Sequence, residues 1–417
     1  MADSTSRAPA SGAIGTLRLP SRVHFGNGAR SQLPEIVAVH GRRVLAVVDP
    51  FLLRSPLLSK IVSSLDASGL EVRVHSDVVP ELPVDSIDSG AAAARTYDAD
   101  VILAIGGGSA LDAAKLIALL SAHEGPLNRY YGESLVPGPV VPIVAVPTTA
   151  GTGSEVTPVA VVSDPERELK VGLSSPFLVP AAAVVDPELT LDAPARVTAY
   201  SGIDALVHAI ESYTAQSFNP DWSTTVPVFT GRNSLAEPIA LEAVASLGPW
   251  LPAAVAEPAN RQARTFVAKG ALLAGIAFGA TGTHLCHALQ YPIGALTKTP
   301  HGLGTGLLLP YVFDAMCAEA ALAERLADLG AALEGIPARE SSAGRMLFRI
   351  VEINRDIGVP SSLADLGIER DQLTQIADLA LRSARLLAIA PVDPTRELLI
   401  DLLQRAHAGH LNSRGLP

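Results

Sequence analysis

Cysteine is nearly absent. Cys286 and Cys317 are the only two in 417 residues, so no disulfide framework stands in for a core, and a reducing compartment is the expected home. Aromatic residues are scarce at 4%, and positive charge is in deficit, with 31 basic against 42 acidic residues and a net charge of −11. That is the wrong sign for a chain that neutralises phosphates along DNA or RNA, so no nucleic-acid partner is expected. No uninterrupted apolar run reaches the roughly 20 residues that span a bilayer, and the opening MADSTSRAPASGAIG lacks the apolar stretch of a secretory signal. Arg7, Arg18 and Arg22 against the early acid Asp3 resemble an organellar presequence only in charge, since the segment is not clearly amphipathic. A cytoplasmic protein without a membrane partner is the expectation.

What the chain does have is apolar substance. Hydrophobic residues make up 48% and charged residues 18%, which excludes global disorder, and the length suits two domains. From Arg42 to about Pro194, short apolar runs (RRVLAVVD, EVRVHSDV, DVILAI, PIVAVP) alternate with helical stretches around Leu57 to Leu65, Ser86 to Tyr97 and Ala110 to Ser121. Runs that do not alternate in polarity suit a parallel sheet covered on both faces by crossover helices. After Pro194 the strand-like runs give way to Ala/Leu-rich stretches such as TAYSGIDALVHAIESYTA and ARTFVAKGALLAGIAFG. The expected organisation is a flexible tail over 1–21, a Rossmann-like α/β dinucleotide domain over 22–194 and an all-α domain over 195–417, with a ligand cleft between the halves.

Two loops carry the nucleotide expectation. DVILAI ends in Gly106, Gly107, Gly108 and Ser109 and runs straight into ALDAAKLIALL, laying bare backbone amides at a helix N-terminus where an anion is favoured. Ser109 is expected to cap that helix, with Asp112 in its first turn. Leu111 stands where the usual dinucleotide fingerprint needs a third glycine, and a glycine cluster is also a common turn device. PIVAVP leads into TTAGTGSEVTP, a second strand end rich in small donors, which at a neighbouring strand would share the same crevice. Asp49, closing the first run, can accept two ribose hydroxyls and would repel a 2′-phosphate, favouring NAD over NADP; a plain cap before PFLLRS fits the spacing equally well.

A second group of residues has the composition of a metal site. Asp204 and His208 in SGIDALVHAIESY are one helical turn apart, and THLCHALQYPIGALTKTPHG gathers His284, His287 and His301 in a chain with only ten histidines. One carboxylate and three imidazoles suit Fe²⁺ or Zn²⁺ with a position left for a substrate oxygen. On spacing alone, His284 and His287 share a helix face and either can be the ligand.

Taken in order, GGGSALDAAK, PTTAGTGSEVTP, SGIDALVHAIESY and HALQYPIGALTKTPHGLGTGLLLPYV resemble the iron-containing (group III) alcohol dehydrogenase family over nearly the whole chain after Arg22. The resemblance implies a Rossmann-like domain joined to an all-helical domain, the dehydroquinate synthase-like fold, with metal and nicotinamide meeting in the cleft. It implies metal ligands Asp204, His208, His287 and His301, with His284 outside that set. It also implies diphosphate contacts from Gly107, Gly108 and Ser109, nicotinamide and ribose contacts from Thr148, Thr149 and Thr152, a nucleotide contact from Lys170, and Asp49 on the adenosine ribose. The implied activity is hydride transfer between NAD(H) and an alcohol or aldehyde carbonyl polarised by the divalent metal, acting on a small alcohol, aldehyde or hydroxy acid. Many members carry a second histidine where this chain has Tyr291, so a proton-relay role there rests on a phenol. NPDWSTTVPVFTGRNSLAEPIALEAV and HLCHALQYPI look more like the hydroxyacid-oxoacid transhydrogenase branch, a nucleotide-retaining alternative. A sugar-phosphate enzyme of the same superfold would need a basic cluster, and only Lys298 and Arg232 lie near the metal segments. A non-redox nucleotide- or metal-binding module has no reason to set metal ligands opposite the glycine loop. A homo-oligomer, in the simplest case a dimer, is expected from so apolar a chain.

Overall fold

Six parallel strands make the main sheet, in the order β1-β9-β6-β4-β2-β3. They are β1 (Arg22–Phe25), β2 (Arg43–Val48), β3 (Glu71–His75), β4 (Val101–Gly106), β6 (Ile143–Pro147) and β9 (Ala182–Val185). A smaller sheet sets β5 (Gly132–Glu133) parallel to β8 (Val171–Ser174), which pairs antiparallel with β7 (Val159–Val162). The computed structural model describes residues 15–79, 82–167, 170–217, 221 and 223–412. The expected tail therefore lies outside the described residues over 1–14, Arg7 included, as does part of the NPDWST stretch.

The central strands are buried on both faces because they carry β-branched and aliphatic residues at every position. In β4, Val101, Leu103 and Ile105 pack with α1 (Leu33–Ala38) and α2 (Pro56–Ala67), whereas Ile102 and Ala104 face α3 (Val84–Tyr97) and α4 (Gly108–Ala122). The period of two thus feeds two separate cores from one continuous apolar run. Strand order reverses between β2 and β4, and ligands of open α/β sheets bind outside the carboxyl ends at such a switch. The ends of β2, β4 and β6 lie side by side there and carry Asp49, the glycine loop and the Thr148–Ser154 loop.

From Ala195 onward the described residues form helices, 3₁₀ turns and loops. The long ones are α5 (Ala195–Thr214), α6 (Glu237–Leu247), α8 (Arg261–Thr281), α9 (Leu285–Thr297), α10 (His301–Cys317), α11 (Ala323–Glu334), α12 (Ala343–Asp356) and α15 (Arg396–Ala408), with the shorter α7 (Leu251–Ala256), α13 (Leu373–Ala380) and α14 (Ala384–Leu387) between them. One apolar core unites them around α5, α8 and α10. Helix α8 alone is long and apolar enough to cross a membrane among the described residues, and it is mostly buried inside the bundle. It also meets the other half. Gly153, at φ +63°, lies so near Gly275 of α8 that a Cβ on Gly153 would stand 2.4 Å from the Gly275 Cα. Only two glycines permit that approach.

Candidate active site

Helix α4 begins at Gly108, directly after the last residues of β4, so its first amides face the cleft. Gly107 occupies the capping position without a side-chain cap bond. This corrects two expectations: Ser109 is inside the first turn rather than the cap, and Asp112 lies beyond that turn. The Asp112 carboxylate instead joins the loops, accepting from Ser154 Oγ at 2.6 Å and from the Val161 amide at 3.0 Å. Behind it Lys115, fully buried, donates from Nζ to the carbonyls of Thr157 and Val159, each at 2.8 Å. Burial pushes its ammonium down to about 8 despite the neighbouring Asp112 and Glu155 carboxyls.

The helical half supplies Asp204 and His208 from α5, His287 from α9 and His301 from the first position of α10. The Nε2 atoms of His208, His287 and His301 each stand 3.8 Å from an oxygen of the Asp204 carboxylate. Ligand atoms held roughly 2 Å from one ion sit about 3–4 Å apart, so this convergence fits a single cation. Ligand atoms of Asp204, His287 and His301 lie within 4.8 Å of one another, a group that does not take in His208, which approaches the other oxygen of Asp204. Gly302 makes the approach possible, since a Cβ there would stand 2.0 Å from the Tyr200 carbonyl oxygen of α5. Asp204, His208 and His287 are buried; His301 is the open side of the group.

Electrostatics prepare these groups for a cation. Burial pushes the imidazoles of His208 and His301 down to about 4, against the pull of Asp204, so both are neutral at pH 7 and hold their lone pairs ready. Burial alone would raise the Asp204 carboxyl, but the three imidazoles and the Thr305 hydroxyl, donating at 2.8 Å, hold it down. His287 is the exception. Burial opposes its charge, yet Glu211 wins and raises it. Glu211 is fully buried and accepts from His287 Nδ1 at 2.7 Å, from the His284 amide at 2.8 Å and from the Cys286 amide at 2.6 Å. With Nδ1 donating to the carboxylate, His287 Nε2 carries the lone pair, and it is buried with no hydrogen-bond partner among the described residues. An orphaned nitrogen aimed at a carboxylate and two more imidazoles fits a bound Fe²⁺ or Zn²⁺.

His284 is elsewhere. It is the N-cap of α9, at φ −135° and ψ −117°, outside the helix, so it does not share a face with His287. Its Nδ1 accepts from the Leu285 amide, and its Nε2 meets the Thr214 hydroxyl at 2.9 Å. Phe278 stacks on His208 at 4.1 Å between ring centres, and Tyr291 stacks on His301 at 6.0 Å. Burial raises the Tyr291 phenol, so it stays protonated.

One open cleft of about 210 Å³ joins the two sets. Its walls include Gly108, Ser109, Thr152 and Lys170 from the α/β half and Asp204, His208, His287, Tyr291 and His301 from the helical half. Gly107, Thr148, Thr149 and Asp49 stand behind that lining. Thr149 packs on Gly107, and the Thr148 amide bonds to the Gly106 carbonyl at 2.9 Å. Asp49 caps the turn after β2 through a 3.0 Å bond from the Phe51 amide, beside Gly106, so the cap reading holds for one of its oxygens. Sequence reasoning missed Glu211, Thr305, Phe278, Phe229 and Arg385 at this site. Glu211 had a visible hint, lying three residues after His208 on the same helix.

The iron-containing alcohol dehydrogenase family model matches residues 20–187, and the C-terminal model of the Fe-containing family matches 198–407. The chain belongs to the iron-containing alcohol dehydrogenase family. It is 34% identical over 403 residues to long-chain-alcohol dehydrogenase 1 of Geobacillus thermodenitrificans, covering 95% of this chain and 98% of that one. It is 30% identical to the mitochondrial hydroxyacid-oxoacid transhydrogenase of Caenorhabditis elegans, covering 93% and 89%. The structure of the alcohol dehydrogenase from Oenococcus oeni superposes with a TM-score of 0.86 at 29% identity, covering 94% of this chain and all of that one. A Rossmann-like α/β region joined to a helical region is thus the family's architecture as well as this chain's.

Proposed function

We propose that this family member is an NAD(H)-dependent, metal-requiring alcohol dehydrogenase whose chemistry takes place where the two sets of residues meet. The observation that carries the reading is that Gly108, Ser109 and Thr152 open into the same cleft as Asp204, His208, His287 and His301. The overall change is balanced: an alcohol carbon gives a hydride to the nicotinamide C4, its hydroxyl proton leaves, and an aldehyde or ketone remains with NADH. A divalent cation held by Asp204, His208, His287 and His301 supplies Lewis acidity toward the substrate oxygen.

The chain's own residues do the rest. Amides of Gly107, Gly108 and Ser109 and the α4 dipole hold the diphosphate. Thr148, Thr149 and Thr152 steady the ribose and nicotinamide, Lys170 contacts the nucleotide, and Asp49 favours NAD over NADP at the adenosine ribose. Phe229 and Phe278 exclude water beside the histidines, and the protonated Tyr291 hydroxyl can donate toward a substrate oxygen. Asp204→Ala and His287→Ala should lose bound metal together with at least about a thousandfold of turnover; elemental analysis and NADH absorbance measure both. Full turnover by either variant in metal-free buffer overturns the reading.

A second reading, nucleotide-retaining exchange of hydride between a hydroxy acid and an oxo acid, is supported by the C. elegans relative and has its own check, turnover without added NAD. The proposed setting is the cytoplasm, where Cys286 and Cys317, free thiols here, stay reduced. A homo-oligomer is also part of the reading, supported by Val23 and Phe25, exposed on the edge strand β1.

A further inference from the structure

We infer that the substrate carries a carboxylate, recognised by Arg385, an inference that rests on the dehydrogenase reading above. Arg385 belongs to the short helix α14, far in sequence from the metal-site residues, yet it lines the same cleft as Asp204, His208 and His287. Its Cζ stands 4.4 Å over the Phe229 ring. Gly282 lies beside it, where a Cβ would be in ordinary contact with a guanidinium nitrogen at 3.6 Å.

Other arginines of the helical half are satisfied by carboxylates: Arg325 by Glu237 at 2.9 Å, Arg396 by Asp378 at 2.6 Å and Arg405 by Asp314 at 2.8 Å. Arg385 has no hydrogen bond or ion pair among the described residues. The acids of the cleft lining are Asp112 and Asp204. Asp112 is taken by Ser154 and Val161, and Asp204 by Thr305 and the three imidazoles. The contact with Phe229 holds the guanidinium at the cleft wall, and an arginine placed there can bind a planar carboxylate with two parallel bonds. Arg385 is exposed to the cleft, and a monohydric alcohol whose one oxygen lies at the metal site has no second acceptor for that fork, whereas a carboxylate offers two. The nucleotide phosphates have their own amide cradle on the opposite half. In the reaction the hydroxyl-bearing carbon gives its hydride to NAD⁺, the hydroxyl proton leaves and the carboxylate is unchanged.

The test uses the full chain loaded with metal and NAD, comparing 4-hydroxybutanoate with 1-butanol in the wild type, R385Q and R385K. The wild type should favour the hydroxy acid in kcat/KM by about tenfold or more. R385Q should lose at least tenfold more on the acid than on 1-butanol, and R385K should recover part of that loss. Independently of turnover, saturation-transfer NMR should detect butanoate bound to wild-type protein without metal and not to R385Q. Equal kcat/KM for acid and alcohol in the wild type, an equal loss on both in R385Q, or weakened NADH binding in R385Q overturns the assignment. Absence of any alcohol oxidation sinks the dehydrogenase reading itself, while the butanoate measurement still decides whether Arg385 holds a carboxylate.

Discussion

Where the α/β half borders the cleft it offers mainly backbone, the amides after β4 and the small residues after β6. Where the helical half borders it, side chains converge on Asp204 from three helices. The first surface depends on chain path and the absence of Cβ atoms, so many side-chain changes nearby leave it intact while an added methyl group harms it. The second depends on the chemistry of single atoms and on whatever holds each ring in place. Damage to the two should therefore be separable: loss of nucleotide on one side and loss of metal on the other.

Glu211→Gln tests the side-chain half most severely. The amide keeps much of the shape but surrenders the charge that orients His287, so metal affinity should fall by roughly 10- to 100-fold while NADH affinity holds. Metal titration and NADH fluorescence read the two quantities, and an unchanged metal affinity would break the contrast. Gly108→Ala tests the backbone half. Its Cβ would stand 2.6 Å from Thr152 Cγ2. NADH binding should weaken on the order of tenfold, since overpacking costs about 1–3 kcal/mol and Thr152 can yield part of it; metal content should stay the same.

A third effect, read in stability rather than in binding, concerns the support beneath the loops after β4 and β6. Burial pushes the Glu155 carboxyl up to about 7, with Lys115 opposing. Between the unfolded value near 4.5 and about 7, the folded chain therefore holds a proton that the unfolded chain has released. Stability from this site is complete below about pH 4.5 and declines as pH rises through 7. Glu155→Gln should flatten that decline, by about 1–3 kcal/mol, in melting curves taken from pH 5 to 8. A slope identical to wild type would show that Glu155 is already ionised in the folded chain.

Legibility followed the same division. Strands β2, β4 and β6 were readable because full burial on both faces demands an unbroken apolar run, and the loop before α4 because three consecutive glycines between a strand and a helix stand out in the sequence. Strand β9 and the small sheet escaped notice: AAVV, GE, VAVV and VGLS are too short for periodicity to separate them from loops. Among the metal-site residues, composition gathered Asp204 with the histidines but left His284 and His287 together; the family resemblance set His284 apart, and the backbone at residue 284 gives the physical reason. Glu211 was hidden because its partners lie on another segment more than 70 residues on. Arg385 was hidden because nothing in a four-residue helix announces which cavity it borders.

Helix α8 qualifies the separation in one respect. Gly275 presses against Gly153 of the nucleotide loop, and Phe278, three residues later on the same rod, lies flat on His208. A displacement of this rod that makes room at one contact drags the other along with it. The loop after β6 and the His208 ring are thus kept in mutual alignment by a rigid spacer of less than one turn, and the spacing between them is inherited from the pitch of an α-helix rather than from the flexibility of a hinge.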